Sequence, residues 1–192
     1  MSSNPVTKLT EEQYLAIERA AECRSEFVNG EMFAMSGGTL AHSRLQRNIA
    51  GELYNALRGR ACEVFTSDMR VRVSGIGMYT YPDVSVVCGK PRLADEHADT
   101  LLNPAVIFEV LSPSSENYDR GLKFQSYRTI ESLQDYILVD QNRVRIEHYT
   151  RQAANAWTLR DCQSLEDQLI IDSVGVTLAL SRIYDGVEPP AA

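Results

Sequence analysis

Two carboxylates lie inside segments that are otherwise apolar, and they limit what this chain can fold into. Asp83 belongs to the segment Tyr81–Val87, and Glu109 belongs to Val106–Leu111. Both segments are rich in β-branched and aromatic residues, which predicts buried or half-buried strands. An ionised carboxylate in such a strand is costly unless a cation or a hydrogen-bond donor meets it. If the two strands are neighbours, both acids can converge on one cation.

A lysine follows these acids on the next predicted helix. Lys123 lies one turn after Asp119 and one turn before Tyr127, so the three side chains share a face. Mg²⁺ and Mn²⁺ prefer hard oxygen ligands, and a bound divalent ion activates water and neutralises charge on a phosphate. A nearby ammonium can orient that water or stabilise the developing oxyanion. Two acids and one amine therefore favour a divalent-metal site for phosphodiester hydrolysis.

The composition is that of an ordinary globular protein. The chain has 192 residues, of which 44% are hydrophobic and 23% charged, so we expect one domain over 1–192 with a core at about 9–185. No apolar run approaches the roughly 20 residues that span a bilayer. The polar start, residues 1–12, lacks a hydrophobic signal segment, so the expected location is the cytoplasm, with no membrane partner. The net charge of −7 argues against a basic nucleic-acid coat but does not exclude a nuclease.

The cysteines carry no metal-binding signature. Cys23, Cys62, Cys88 and Cys162 are scattered without the short spacing of a zinc site. In a cytosolic protein we expect them to be reduced thiols.

The order of predicted elements favours a mixed α/β sheet flanked by helices. A capping box predicts a helix over 11–23, Asn29-Gly30 predicts a hairpin turn, and helical periodicity predicts a second helix over 40–58. The polar connection 89–104 is expected to be exposed and mobile. A strand–helix–strand unit over 106–139 adds parallel pairing to the sheet.

In this arrangement the chain resembles the PD-(D/E)XK nuclease superfamily, and more narrowly the Uma-two family of restriction endonucleases of cyanobacterial type. The likeness covers nearly the whole chain and implies a restriction-endonuclease-like mixed central β-sheet flanked by helices. The segments that carry it are Ser25–Glu31, His42, Tyr81–Val84, Phe108–Ser115, Asp119–Tyr127 and Tyr136–Asp140.

The resemblance implies roles for individual residues. Asp83 supplies the acid of the PD half-motif and Glu109 the acid of the second half-motif, and Asp83, Glu109 and Val110 would bind Mg²⁺ or Mn²⁺. The superfamily places a lysine two residues after the second acid, but this chain has Leu111 there. The amine of this family is then on the following helix, which makes Lys123 the third catalytic residue.

Four further residues are candidates for the site. The superfamily pattern implicates a glutamate from the N-terminal region, either Glu26 or Glu31, and we favour Glu26 because Glu31 flanks the hairpin turn. His42 is expected either to contact a phosphate or the metal's outer shell, or to be a helix cap or a surface residue. Tyr127 is expected to pack or to donate a hydrogen bond.

The expected function is that of a metal-dependent endonuclease acting on DNA, as a homodimer where both strands are cut. Two alternatives stay open. Leu111 and the acidic pI favour a catalytically inactive binding module with a nuclease fold, and a hydrolase acting on RNA or another phosphoester would use the same chemistry.

Overall fold

A computed structural model describes residues 8–188, so the first seven residues of the polar start lie outside it. The helices are α1 (Glu11–Ala20), α2 (Leu40–Leu57), α3 (Glu116–Tyr118), α4 (Phe124–Tyr127) and α5 (Leu180–Ile183). The strands are β1 (Ser25–Val28), β2 (Glu31–Ala34), β3 (Cys62–Thr66), β4 (Arg70–Val73), β5 (Met78–Thr80), β6 (Val84–Cys88), β7 (Thr100–Leu101), β8 (Val106–Leu111), β9 (Asp135–Asp140), β10 (Ile146–Ala153), β11 (Ala156–Cys162), β12 (Gln168–Ile171) and β13 (Val176–Ala179). None of the helices within 8–188 is long and apolar enough to cross a membrane.

A six-stranded mixed sheet in the order β11-β10-β9-β8-β6-β3 forms the centre of the fold. The pair β8 and β9 is parallel, as the strand–helix–strand unit predicts, and the neighbouring pairs are antiparallel. A second sheet has the order β2-β1-β5-β4-β7, and β12 pairs with β13. The predicted α/β class with a mixed sheet and flanking helices is confirmed.

The central sheet is covered on both faces. The side chains of β8 alternate between the two hydrophobic clusters that cover it. Val106, Phe108 and Val110 pack in one hydrophobic cluster with the buried stripe of α2. Ile107 and Leu111 pack in the other cluster, with strands of the five-stranded sheet. Because successive side chains of a strand alternate between faces, Glu109 points to this second side.

The strand predicted over 81–87 begins three residues later than expected, which corrects one prediction. Residues 78–80 form β5 in the five-stranded sheet, and β6 begins only at Val84 in the central sheet. Pro82 lacks the N–H that a continuous ladder would need, so the chain passes between the sheets at Tyr81–Asp83. Asp83 therefore lies immediately before its strand instead of within it.

Two of the four cysteines are not free, so the prediction of four reduced thiols is wrong. Cys62 of β3 and Cys88 of β6 are direct partners in the antiparallel pair and form a disulfide. Cys23 and Cys162 are free thiols. The two bonded cysteines are 26 residues apart in the chain, so only strand register brings them together.

The connection 89–104 is more ordered than the sequence predicts. It contains β7, which pairs in parallel with β4, and Thr100 and Leu101 are buried. Asp99 in this segment forms ion pairs with Arg19 of α1 and Arg70 of β4. These contacts fix the connection against the five-stranded sheet.

Candidate active site

The pairing of β6 with β8 brings the two predicted acids together. Val84 is the partner of Phe108, so the same antiparallel register extended by one residue sets Asp83 opposite Glu109. Side chains of directly opposed residues lie on the same face of a sheet. The backbone N–H of Val110 donates a hydrogen bond to Asp83 Oδ2 at 2.7 Å, which holds this carboxylate beside Glu109.

Glu109 is buried, with 3% of its surface exposed, and its Oε1 has two donors. Lys123 Nζ lies 3.1 Å away and the Tyr127 hydroxyl donates at 2.9 Å. That hydroxyl also bonds Thr80 Oγ1 at 2.7 Å. Burial raises the pKa of Glu109 well above its ordinary value, and the Lys123 ammonium offsets only part of this effect.

Lys123 is the centre of a cluster of carboxylates. Its Nζ lies 3.1 Å from Glu109 Oε1, 3.1 Å from Glu26 Oε1 and 3.3 Å from Asp119 Oδ1, and the residue is 6% exposed. Burial lowers the pKa of Lys123, but the surrounding carboxylates outweigh burial, so the pKa is well above its ordinary value. The surrounding carboxylates therefore favour the charged ammonium over the neutral amine.

A π-helical turn places this lysine. α3 and α4 are joined directly by the turn Asp119–Lys123, in which the N–H of Phe124 donates to the carbonyl of Asp119. Such turns within helices are often found at functional sites because they change which side chains face inward. Here Asp119, Lys123 and Tyr127 are all buried on the side of the two acids.

Asp119 is the residue that sequence reasoning left without a role. It is 2% exposed, and burial raises the pKa of its carboxyl group. Its Oδ1 makes the charge contact with Lys123 but has no hydrogen bond within the described residues. Its position one turn before Lys123 was the available signal, but an acid at that position is usually on a solvated face.

Glu26 and Glu31 are separated by the hairpin. Asn29 and Gly30 have φ values of 51° and 90°, as the tight turn between β1 and β2 requires. Glu26 faces inward from β1 and contacts Lys123, whereas Glu31 is exposed on β2 at the rim of the site.

His42 and Gln46 hold Asp83 from the side of α2. His42 Nε2 lies 3.3 Å from Asp83 Oδ2, and Gln46 donates to the Asp83 carbonyl at 3.0 Å. Burial lowers the pKa of His42, but the hydrogen bond to Asp83 and the negative charges of Asp83 and Asp119 together outweigh burial, so the pKa is raised. The backbone N–H of His42 donates to the N-cap Thr39, so this histidine takes part in the cap and also contacts the site.

A cavity of about 940 Å³ opens onto these residues. Its lining includes Asp83, Glu109, Lys123 and Val110. The Val110 side chain packs in the core, so only its backbone can contribute to a metal site. Between residues 8 and 188, no three His, Cys, Asp or Glu side chains are arranged as a metal-binding group, and three of the carboxylates surround the ammonium.

The donor set nevertheless suits a hard divalent ion. Asp83 and Glu109 each have one oxygen held by protein donors, Oδ2 and Oε1 respectively. In the described part of the chain, the other oxygen of each carboxylate accepts no hydrogen bond from the protein. Two free carboxylate oxygens beside an open cavity leave room for the water ligands that Mg²⁺ retains.

Known proteins are similar to this chain in fold or in sequence. The fold is similar to the crystal structure of "a putative nuclease belonging to DUF820" from Anabaena variabilis ATCC 29413, with a TM-score of 0.76 and 17% identity over 94% of this chain and 99% of that one. "Uncharacterized protein slr1290" of Synechocystis sp. (strain ATCC 27184 / PCC 6803 / Kazusa) is 37% identical, over 96% of both chains. "Uncharacterized protein sll1609" of the same organism is 39% identical, over 80% of this chain and 86% of that protein. Residues 11–181 match the model of the Uma2 family, described as "Putative restriction endonuclease", and the chain therefore belongs to the Uma2 family.

Proposed function

We propose that this protein is a metal-dependent endonuclease that hydrolyses phosphodiester bonds in DNA, using Mg²⁺ or Mn²⁺. Membership of a family described as "Putative restriction endonuclease" and the likeness in fold to "a putative nuclease belonging to DUF820" support nuclease chemistry. The observation that carries the proposal is the convergence of Asp83, Glu109 and Lys123 on one cavity.

The metal would be held by the free oxygens of Asp83 and Glu109, with Val110 contributing through its backbone. When bound there, it would supply an activated water molecule and offset negative charge on the scissile phosphate. Val110 N–H fixes one carboxylate, and Lys123 and Tyr127 fix the other, so the protein limits the movement of both ligands.

Lys123 would act as a hydrogen-bond donor. As an ammonium, it can orient the attacking water or stabilise negative charge on a phosphate oxygen. Glu26 and Asp119 hold the ammonium from the other side. This arrangement explains how the lysine can come from a helix, because two extra acids position its long and flexible side chain. We therefore assign Glu26 the role of ion-pair partner of Lys123 in preference to that of metal ligand.

A plasmid cleavage assay with Mg²⁺ or Mn²⁺ tests the proposal. The wild-type protein should nick plasmid DNA, and Asp83→Asn and Lys123→Ala should each lose about 100-fold in rate. Lys90→Ala, which changes an exposed lysine, is the matched control and should cleave like the wild type. Cleavage that persists unchanged in both site variants would contradict the assignment.

Metal binding measured by calorimetry separates the alternatives. If Asp83→Asn abolishes Mn²⁺ binding but the wild-type protein cuts neither DNA nor RNA, the protein is an inactive binding module. If only RNA is cut, the substrate assignment is wrong while the site assignment stands.

One site of this kind cuts one strand, so double-strand cleavage requires two copies of the chain. We propose a homodimer for that activity, acting in the cytoplasm. Size-exclusion chromatography with light scattering tests the assembly, and a monomer at working concentration would contradict it.

A further inference from the structure

An exposed aromatic ring lies at the edge of the candidate active site. Phe33 is on β2, directly opposite Glu26 in the β1–β2 register, and Glu26 in turn contacts Lys123. Opposed residues in a strand pair share a face, so Phe33 lies one strand away from the cluster of charged groups. It lines the same cavity as Asp83 and Glu109.

Phe33 differs from the other phenylalanines of the chain. All five lie within residues 8–188, and the other four belong to or pack against hydrophobic clusters: Phe27, Phe65, Phe108 and Phe124. Phe33 is 52% exposed, is in none of the three clusters, and stacks on no other ring of the described chain. Its position is therefore not explained by the core.

The surroundings of Phe33 are suited to a flat, apolar group. Met35 and Leu122, which are 37% and 39% exposed, line the same cavity from the segment after β2 and from the helical wall. A cavity of about 940 Å³ is of the size that encloses an organic ligand, which is more than a metal ion and a phosphate need.

The cavity is lined by more acidic than basic side chains, so electrostatic attraction contributes little to the binding of a polyanion such as DNA. Among its lining residues in the described chain, carboxylates outnumber lysines by five to two; they are Glu26, Glu31, Asp83, Glu109 and Asp119 against Lys8 and Lys123. Phosphate–lysine attraction, which dominates most nucleic-acid binding, is therefore weak here. Stacking of bases on aromatic side chains supplies affinity that does not depend on charge.

We propose that Phe33 stacks on an unpaired base next to the scissile phosphate, so that the substrate is single-stranded or locally unpaired DNA. A base within an intact duplex is stacked on both faces and cannot reach the ring unless it leaves the helix. The inference depends on the proposed nuclease function, because that function places the phosphate at Asp83 and Glu109.

Binding of fluorescein-labelled oligonucleotides, followed by anisotropy, tests the inference separately from cleavage. The Asp83→Asn background keeps the strand intact during the measurement. The single strand should bind more tightly than the matched duplex, with a shallow dependence on salt. Phe33→Ala should weaken single-strand binding about tenfold, and Phe33→Trp should retain it.

Tyr54→Ala is the matched control, because Tyr54 is an exposed aromatic residue on α2 outside the lining of the cavity, and it should bind like the parent. Single-strand affinity that is unchanged by Phe33→Ala would overturn the inference. So would a duplex preferred over the single strand. If Phe33→Ala instead converts a dimer to a monomer in light scattering without loss of affinity, the ring is a contact between two copies.

The two proposals fail in different ways. If wild-type protein binds single strands through Phe33 but cuts no DNA with any metal, the nuclease function fails and the base contact stands. If it nicks plasmid DNA and the Phe33 variants bind and cut like the wild type, the function stands and the base contact fails.

Discussion

Lys123 donates a hydrogen bond at 3.1 Å to Glu109 Oε1, the oxygen that Tyr127 also holds. The lysine follows Glu109 by 14 residues in the chain and comes from the helical segment after β8 instead of from the strand. Its contacts with Glu26 and Asp119 make it the single ammonium among three buried carboxylates.

Replacement of Lys123 by Met should destabilise the fold, because three carboxylates would lose their shared cation. Removing one partner from a buried charge cluster costs about 3 kcal/mol. Mg²⁺ should restore part of this free energy of unfolding, since a divalent cation can take the place of the ammonium. Urea unfolding with and without Mg²⁺ measures both effects. Lys90→Met is the exposed control and should change stability by less than about 0.5 kcal/mol. Equal stability of Lys123→Met and wild type without Mg²⁺ would contradict the prediction.

Removal of the Tyr127 hydroxyl should loosen Glu109 without creating a cavity. In Tyr127→Phe the ring still packs, but Glu109 Oε1 keeps only the lysine as donor and Thr80 Oγ1 loses its partner. The free energy of unfolding should fall by about 1 kcal/mol. Urea denaturation checks this value. A variant as stable as the wild type would show that the hydroxyl makes no net contribution.

His42 should affect metal binding through its contact with Asp83. His42→Ala leaves the Thr39 cap intact, because the cap uses only the backbone N–H of residue 42. Loss of a residue that holds a metal ligand costs about tenfold in affinity, so Mn²⁺ binding should weaken by that factor. Titration calorimetry measures it, and His97→Ala is an exposed control. Unchanged Mn²⁺ affinity together with a lower melting temperature would indicate a purely structural histidine.

Asp99 should make the protein sensitive to acid. Hydrogen bonds from Arg19, opposed by burial and joined by Arg70, lower the pKa of Asp99 below its ordinary value of 3.8. A lowered folded-state pKa means that this stabilisation is present above the unfolded pKa and is lost as the pH falls below it. Asp99→Asn should therefore reduce stability at pH 7 by about 1 kcal/mol, a modest value because the side chain is one third exposed. The difference between the variant and the wild type should shrink as the pH falls from the unfolded pKa of Asp99 through its lowered folded-state pKa. Urea unfolding across this pH range checks the prediction, and a constant difference at every pH would contradict it.

The sequence was most informative where local pattern and burial agree. β8 has the predicted bounds, Val106–Leu111, because an apolar run interrupted only by Glu109 ends at Ser112-Pro113. The turn at Asn29-Gly30 and the cap of α1 also follow local rules that hold in any context. The break before Val84 was missed because the apolar pattern runs through Pro82, although the chain changes sheets there.

The partners of Lys123 were harder to foresee. The sequence marked the lysine and placed Asp119 on its face, but Glu26 comes from a hairpin nearly one hundred residues earlier. The Cys62–Cys88 disulfide was also hard to predict, because it depends on the register of β3 against β6. Contacts between distant segments depend on register and packing, which leave no local pattern in the chain.

The sequence by itself determined that two acids would lie in apolar segments and that an amine would follow on a helix, because burial and periodicity are properties of short segments. Only the tertiary structure decided that Asp83 stands opposite Glu109 and that Lys123 sits among three carboxylates. It also decided that Phe33 faces the cavity and not the core. The physical reason is that the energy of a buried charge depends on which groups lie within a few ångströms of it, and those groups come from segments far apart in the chain.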